Sequence, residues 1–154
     1  MIRKTNRRML ACILLLCCNL AFIWGNSLLP GELSSAFSDW VKSILEALLP
    51  GEDAAAPGGG LLRKIAHFTE FMSLGMCLFW LFSMLGKRKA LALLCGAAAA
   101  CTDETIQLFV PDRGPSLKDV GIDTCGVITG MILLQIGYRL WKRKQTTNYG
   151  GNNQ

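Results

Sequence analysis

Arg63-Lys64-Ile65-Ala66-His67-Phe68-Thr69-Glu70-Phe71 opens a stretch that then stays apolar as far as Leu85, where Gly86-Lys87-Arg88-Lys89 ends it. As a helix, the run from Ile65 to Leu85 reaches roughly 31 Å, enough to cross a hydrocarbon core. A charge in the middle of such a span costs about 2.5–3.5 kcal/mol, and less near an interface. Glu70 therefore needs partners. Positions 63, 67, 70 and 74 share one helical face, so Arg63, His67 and Glu70 point the same way into a bundle. The other apolar stretches must supply what they meet.

Three further blocks have the same character: Met9 to Leu29, Ala90 to Val110 and Val120 to Trp141. Hydrophobic residues make up 51% of the chain and charged residues 18%. They come in membrane-length blocks and not as amphipathic stripes. The expected fold is all-α, a polytopic membrane protein with four transmembrane helices over about 9–29, 65–85, 90–110 and 120–141. These make one membrane domain over residues 1–145. The first span has the basic start of a secretory signal, but its apolar run is long and Ile23-Trp24-Gly25-Asn26 lacks paired small residues, which favours an uncleaved anchor.

Basic residues collect in three places: Arg3, Lys4, Arg7 and Arg8; Lys87, Arg88 and Lys89; and Arg139, Lys142, Arg143 and Lys144. No acidic residue accompanies them. Positive flanks stay in the cytoplasm, so both termini are expected there. The net charge of +5 follows from that topology and from attraction to anionic headgroups, and needs no nucleic-acid partner. All eleven acidic residues fall in or beside segments facing the opposite side.

The first outer loop carries a helical pattern. Leu33, Phe37, Trp40, Val41, Ile44, Leu45 and Leu48 recur at three- and four-residue intervals, with Ser34, Ser35, Asp39, Lys42 and Glu46 on the other face. A short amphipathic helix results, lying on the bilayer or capping the bundle. Pro50-Gly51 and the run to Gly60 read as a flexible linker, and residues 146–154 as a disordered tail. Cys12, Cys17, Cys18, Cys77, Cys95, Cys101 and Cys125 all sit inside apolar blocks with no Cys-x-x-Cys pair, so they read as small packing residues. Gly126 and Gly130 form a Gly-x-x-x-Gly step, and Gly96 with Ala97 to Ala100 a smooth face, both suited to close helix approach.

Polar residues recur at matching depth on the other spans. Asp103, Glu104 and Gln107 lie near the outer end of the third, and Asp119 and Asp123 near that of the fourth, after the turn Pro111-Asp112-Arg113-Gly114-Pro115. They read as one site shared by three helices. His67, Glu70, Asp103 and Glu104 are the candidate proton-handling residues, since clustered carboxylates raise one another's pKa. Arg63, Gln107, Arg113, Asp119 and Asp123 are the candidate ligand-binding residues, Arg113 being suited to a phosphate or carboxylate. His67, Glu70, Asp103 and Asp123 are metal ligands by type, but their spacing matches no strong metal motif, and neither a metal nor a cofactor is expected. His-Glu-x-x-His, Gly-x-Ser-x-Gly and phosphate-binding glycine loops are absent. A purely structural salt-bridge network stands as the alternative.

Read together, Arg63 to Phe71, Thr102-Asp103-Glu104 with Gln107, Phe109, Pro111 and Arg113, then Asp119, Asp123, Gly126 and Gly130, resemble the VanZ-like family of bacterial membrane proteins. Asn26-Ser27-Leu28-Leu29-Pro30 suits the end of that family's first span, and the resemblance runs from about Asn26 to about Arg139. Phe71 stands where a tyrosine is common and Asp123 where asparagine is often found. The resemblance implies a multi-pass protein of the bacterial plasma membrane, some relatives of which are linked to reduced susceptibility to teicoplanin-type glycopeptides. It implies no particular reaction. The expected function is an outward-facing pocket that binds or modifies an anionic envelope lipid or amphiphile. The competing expectation is a non-enzymatic membrane scaffold whose polar cluster is structural.

Overall fold

The structure, a computed structural model, describes residues 2–48, 59–114 and 116–150. The described chain is all-helical: α1 (Ile2–Ser27), α2 (Gly31–Leu48), α3 (Gly59–Met84), α4 (Lys89–Gln107) and α5 (Leu117–Gly150), with no strand among the described residues. Three stretches are long and apolar enough to cross a membrane: Asn6–Ser27, Leu61–Met84 and Leu117–Gln145. α4 has 19 residues, and Asp103, Glu104 and Gln107 at its end lower its apolar character. The third apolar block was expected to run to Val110; its helix stops at Gln107, and Leu108 to Asp112 turn back towards α5. The linker expected before α3 falls mostly outside the described residues, as do residues 151–154 of the expected tail; residues 146–150 continue α5.

Side-chain pairs fix the direction of each helix. Cys12, Asn19 and Asn26 of α1 meet Cys77, Ser73 and Glu70 of α3 in that order, so α1 and α3 are antiparallel. α4 also runs against α3 and α5: Gln107 meets Arg63, Gly96 meets Val127, and Lys89 meets Gln135. α3 and α5 run the same way, Phe68 and Met72 facing Gly126 and Gly130. The basic residues at the start of α1, at the α3–α4 turn and late in α5 consequently gather at one end of the bundle. The polar constellation gathers at the other.

α3 touches all four other helices, α5 most extensively. The reason is local and steric. A Cβ added at Gly130 would lie 1.9 Å from the Met72 carbonyl oxygen, and one at Gly126 2.5 Å from that of Phe68. Gly75 of α3 answers with an equally tight approach, its Cβ position lying 2.2 Å from the Val127 carbonyl oxygen. Backbone rests on backbone along this seam, as small residues permit between membrane helices. Phe71, Leu74, Leu78, Ala92, Ala100, Val127 and Ile23 complete the buried core.

α2 follows Pro30, with the Gly31 N–H donating to the Pro111 carbonyl at 3.3 Å. A side chain at Gly31 would strike the Asp112 backbone, and Asp112 itself adopts φ 58°, so this junction is tightly drawn. Ser38 is buried, whereas Leu33, Trp40 and Ile44 are exposed. Among the described side chains of α2, Leu33, Trp40 and Ile44 thus face away from the bundle.

Candidate functional site

The polar end divides into two layers. In the inner layer, the Ser27 hydroxyl donates to Asp103 Oδ1 at 2.6 Å, and the Gln107 amide donates to Asp103 Oδ2 at 2.9 Å. The same amide lies 3.4 Å from Glu104 Oε1, and the Ser116 backbone N–H donates to Glu104 Oε2 at 2.8 Å. Asp103, Glu104, Gln107 and Ser27 are all buried. The spacing of 103 and 107 on one helical turn makes this bridge possible, tying α1, α4 and the start of α5 together. Asn26 Nδ2 donates to Glu70 Oε1 at 2.9 Å, which joins α1 to α3 at the same level.

The outer layer surrounds a cavity of about 220 Å³. His67, Asp119 and Asp123 face it together with Arg63, Lys64 and Arg113. Arg113 is held by donation from Nη1 to the Ser27 carbonyl at 3.3 Å, and Arg63 Nη2 reaches Gln107 Oε1 at 3.5 Å. Burial, and then the like charge of Arg63, lower the pKa of Arg113 from its usual value, while Asp103, Glu104 and Glu70 oppose the shift. Two guanidinium groups lining one cavity favour an anion there. Several buried atoms here have no hydrogen-bond partner among the described residues: His67 Nδ1, Glu70 Oε2, Arg113 Nε, Asp119 Oδ1 and Asp123 Oδ1. Asp119 Oδ1 does have Lys64 Nζ at 4.0 Å, an ionic contact too long for a hydrogen bond. His67 Nδ1 lies 3.9 Å from Asp103 Oδ2, again beyond hydrogen-bond reach.

Residues 10–138 match the model of the family described as VanZ/LLP1. The chain belongs to the VanZ/LLP1 family. No curated protein and no solved structure matches it significantly.

All nine candidate residues of this VanZ/LLP1 protein lie at the same end of the bundle. Arg63, His67, Glu104, Gln107, Arg113, Asp119 and Asp123 reach the cavity. Asp103 stands behind the wall, within 3.9 Å of His67, and Glu70 turns to Asn26. Three partners went unassigned in the sequence: Asn26 and Ser27, which appeared only as a pattern at the end of a span, and Ser116. Asn26 and Ser27 did carry a signal, as polar residues near the outer end of an apolar block, whereas Ser116 in the turn before α5 carried none. Beside Thr102, Leu16, Trp24, Leu78 and Phe82 border a second, apolar groove of about 400 Å³ between α1, α3 and α4.

Proposed function

We propose that this VanZ/LLP1 protein binds the anionic headgroup of an envelope lipid or lipid-like amphiphile at the outer face of the bacterial plasma membrane. In this reading, α1, α3, α4 and α5 all span the bilayer with both termini cytoplasmic, and α2 lies against the outer leaflet. α4 is about 28 Å long, close to the roughly 30 Å hydrocarbon thickness. Its acidic end is turned inward, where hydrogen bonds offset the cost of its carboxylates. The basic end of the bundle supports the orientation, and the exposed Leu33, Trp40 and Ile44 support contact of α2 with lipid.

The observation that carries the binding proposal is the convergence of Arg63, Lys64 and Arg113 on one cavity. The apolar groove between α1, α3 and α4 offers a separate surface for a hydrocarbon chain. Glycopeptides of the teicoplanin type share that amphiphilic character, which connects the pocket to the susceptibility phenotype associated with VanZ-like relatives. The chain is reconstituted in nanodiscs containing phosphatidylglycerol and phosphatidylcholine, and retained lipid is read by native mass spectrometry. Phosphatidylglycerol is expected to be retained in preference. The double variant Arg63→Gln/Arg113→Gln should lose at least about tenfold in retention, or about 1.4 kcal/mol. Equal retention of both lipids by the natural chain overturns the proposal.

A second reading is favoured by the inner layer alone. Asp103, Glu104 and Gln107 satisfy one another and their neighbours, as a structural network in a membrane scaffold would. Persistence of the susceptibility phenotype in the double variant, together with its loss on disrupting α2, would select that reading.

A further inference from the structure

We infer that His67, Asp103 and Asp123 form a site for a divalent transition cation of the zinc or manganese class. The inference rests on the pocket reading above and gives its inner wall a chemistry. One ligand atom from each residue lies within 4.8 Å of the other two, although the residues come from three different helices, α3, α4 and α5. Imidazole and carboxylate together suit zinc and manganese, whereas calcium and magnesium favour oxygen alone.

Unfilled valence is the independent observation. Asp123 is 1% exposed, and its Oδ1 has no hydrogen-bond partner among the described residues. His67 Nδ1 is likewise buried and unpartnered. Neither Asp103 nor Asp123 forms an ion pair with a lysine or arginine among the described residues. Two buried carboxylates left in that state are costly, and buried charges are normally paired or bound to metal. A divalent cation removes both debts.

Asp103 is prepared for the role. Ser27 and Gln107 each donate to a different oxygen, which fixes the carboxylate plane and leaves a lone pair on Oδ2 towards His67. Atoms bound to one zinc at about 2.1 Å can lie no more than about 4.2 Å apart, so small side-chain rotations close the site. Three protein ligands leave a coordination position open, as catalytic and substrate-binding zinc sites do. His67 and Asp123 also face the cavity, so that position lies on the side where Arg63 and Arg113 await an anion.

The test uses the full chain in nanodiscs, treated with EDTA and then titrated with zinc, manganese, magnesium or calcium chloride. Zinc or manganese is expected to bind at about one ion per chain by elemental analysis after desalting. At a concentration about a hundredfold above Kd it should raise Tm by about 5–10 °C. D123N and H67Q should each lower the affinity at least about tenfold while remaining monodisperse. No zinc or manganese retained by the natural chain overturns the inference whatever the variants do, as does unchanged affinity in folded D123N or H67Q. If the natural chain retains phosphatidylglycerol but no metal, the cation site falls and the headgroup pocket stands. Metal binding with no lipid preference gives the reverse.

Discussion

The α3–α5 seam and the polar end of the same two helices solve opposite problems. Along the seam, Gly75, Gly126 and Gly130 bring backbones so close that no side chain fits between them. A few residues away, His67 and Asp123 stand beside a cavity of about 220 Å³ with polar atoms that lack hydrogen-bond partners among the described residues. Tight packing costs little where groups are apolar and small, whereas unpaired carboxylates are expensive. A bundle able to close completely at Gly130 and yet open at Asp123 has room at the polar end for something other than itself.

The largest effect should come from closing no gap at all. Gly130→Ala places a Cβ 1.9 Å from the Met72 carbonyl oxygen, and neither backbone can yield without parting the helices. A loss of about 3 kcal/mol or more is expected, at the upper end of overpacking costs. Gly137, one heptad on, has nothing within 4 Å of its Cβ position. Gly137→Ala is expected to be neutral or to stabilise by up to about 1 kcal/mol through helix propensity. Retention of folded protein on heating, compared for the two variants, checks this. Equal behaviour would mean that the seam is looser than its geometry.

A middle-sized effect separates the two polar layers. Asp103→Leu removes the acceptor used by Ser27 and Gln107 and leaves both donors buried, at a cost of about 1–3 kcal/mol. Asp123→Leu removes a carboxylate whose Oδ1 has no hydrogen-bond partner among the described residues, and its side chain can extend into the cavity. In metal-free buffer, Asp123→Leu should therefore leave thermal stability unchanged or raise it. A fall as large as that of Asp103→Leu would place Asp123 in the structural layer.

Much of this contrast was legible in one dimension. Apolar run length marks α1, α3 and α5 because hydropathy is a property of consecutive residues. Shared depth marks the polar end because helices advance evenly along their axes. The assignment of roles within the cluster was not legible. Asp103 and Asp123 look alike in sequence, and only the placement of Ser27 and Gln107 around one of them makes the first satisfied and the second not. The same holds for Gly75, whose close contact with Val127 depends on the α3–α5 register and not on any pattern within α3. α2 shows a related limit. Periodicity marks its apolar residues, while the contact of Gly31 with Pro111 and Asp112 is between residues eighty apart and leaves no pattern within α2.

The smallest effect should come at the rim of the cavity. Lys64 and Asp119 face one another at 4.0 Å with side chains 51% and 36% exposed, so water screens the pair. Lys64→Ala is expected to change stability by less than about 0.5 kcal/mol, within the range of exposed ion pairs. Its consequence should appear in binding, because Lys64 also faces the cavity. Loss of one positive charge should weaken retention of an anionic lipid, and that loss should shrink as salt is raised and the field is screened. Thermal denaturation and lipid retention at two salt concentrations separate these outcomes. A large stability loss with unchanged retention would make Lys64 part of the scaffold, whereas the reverse keeps it on the binding side of the comparison.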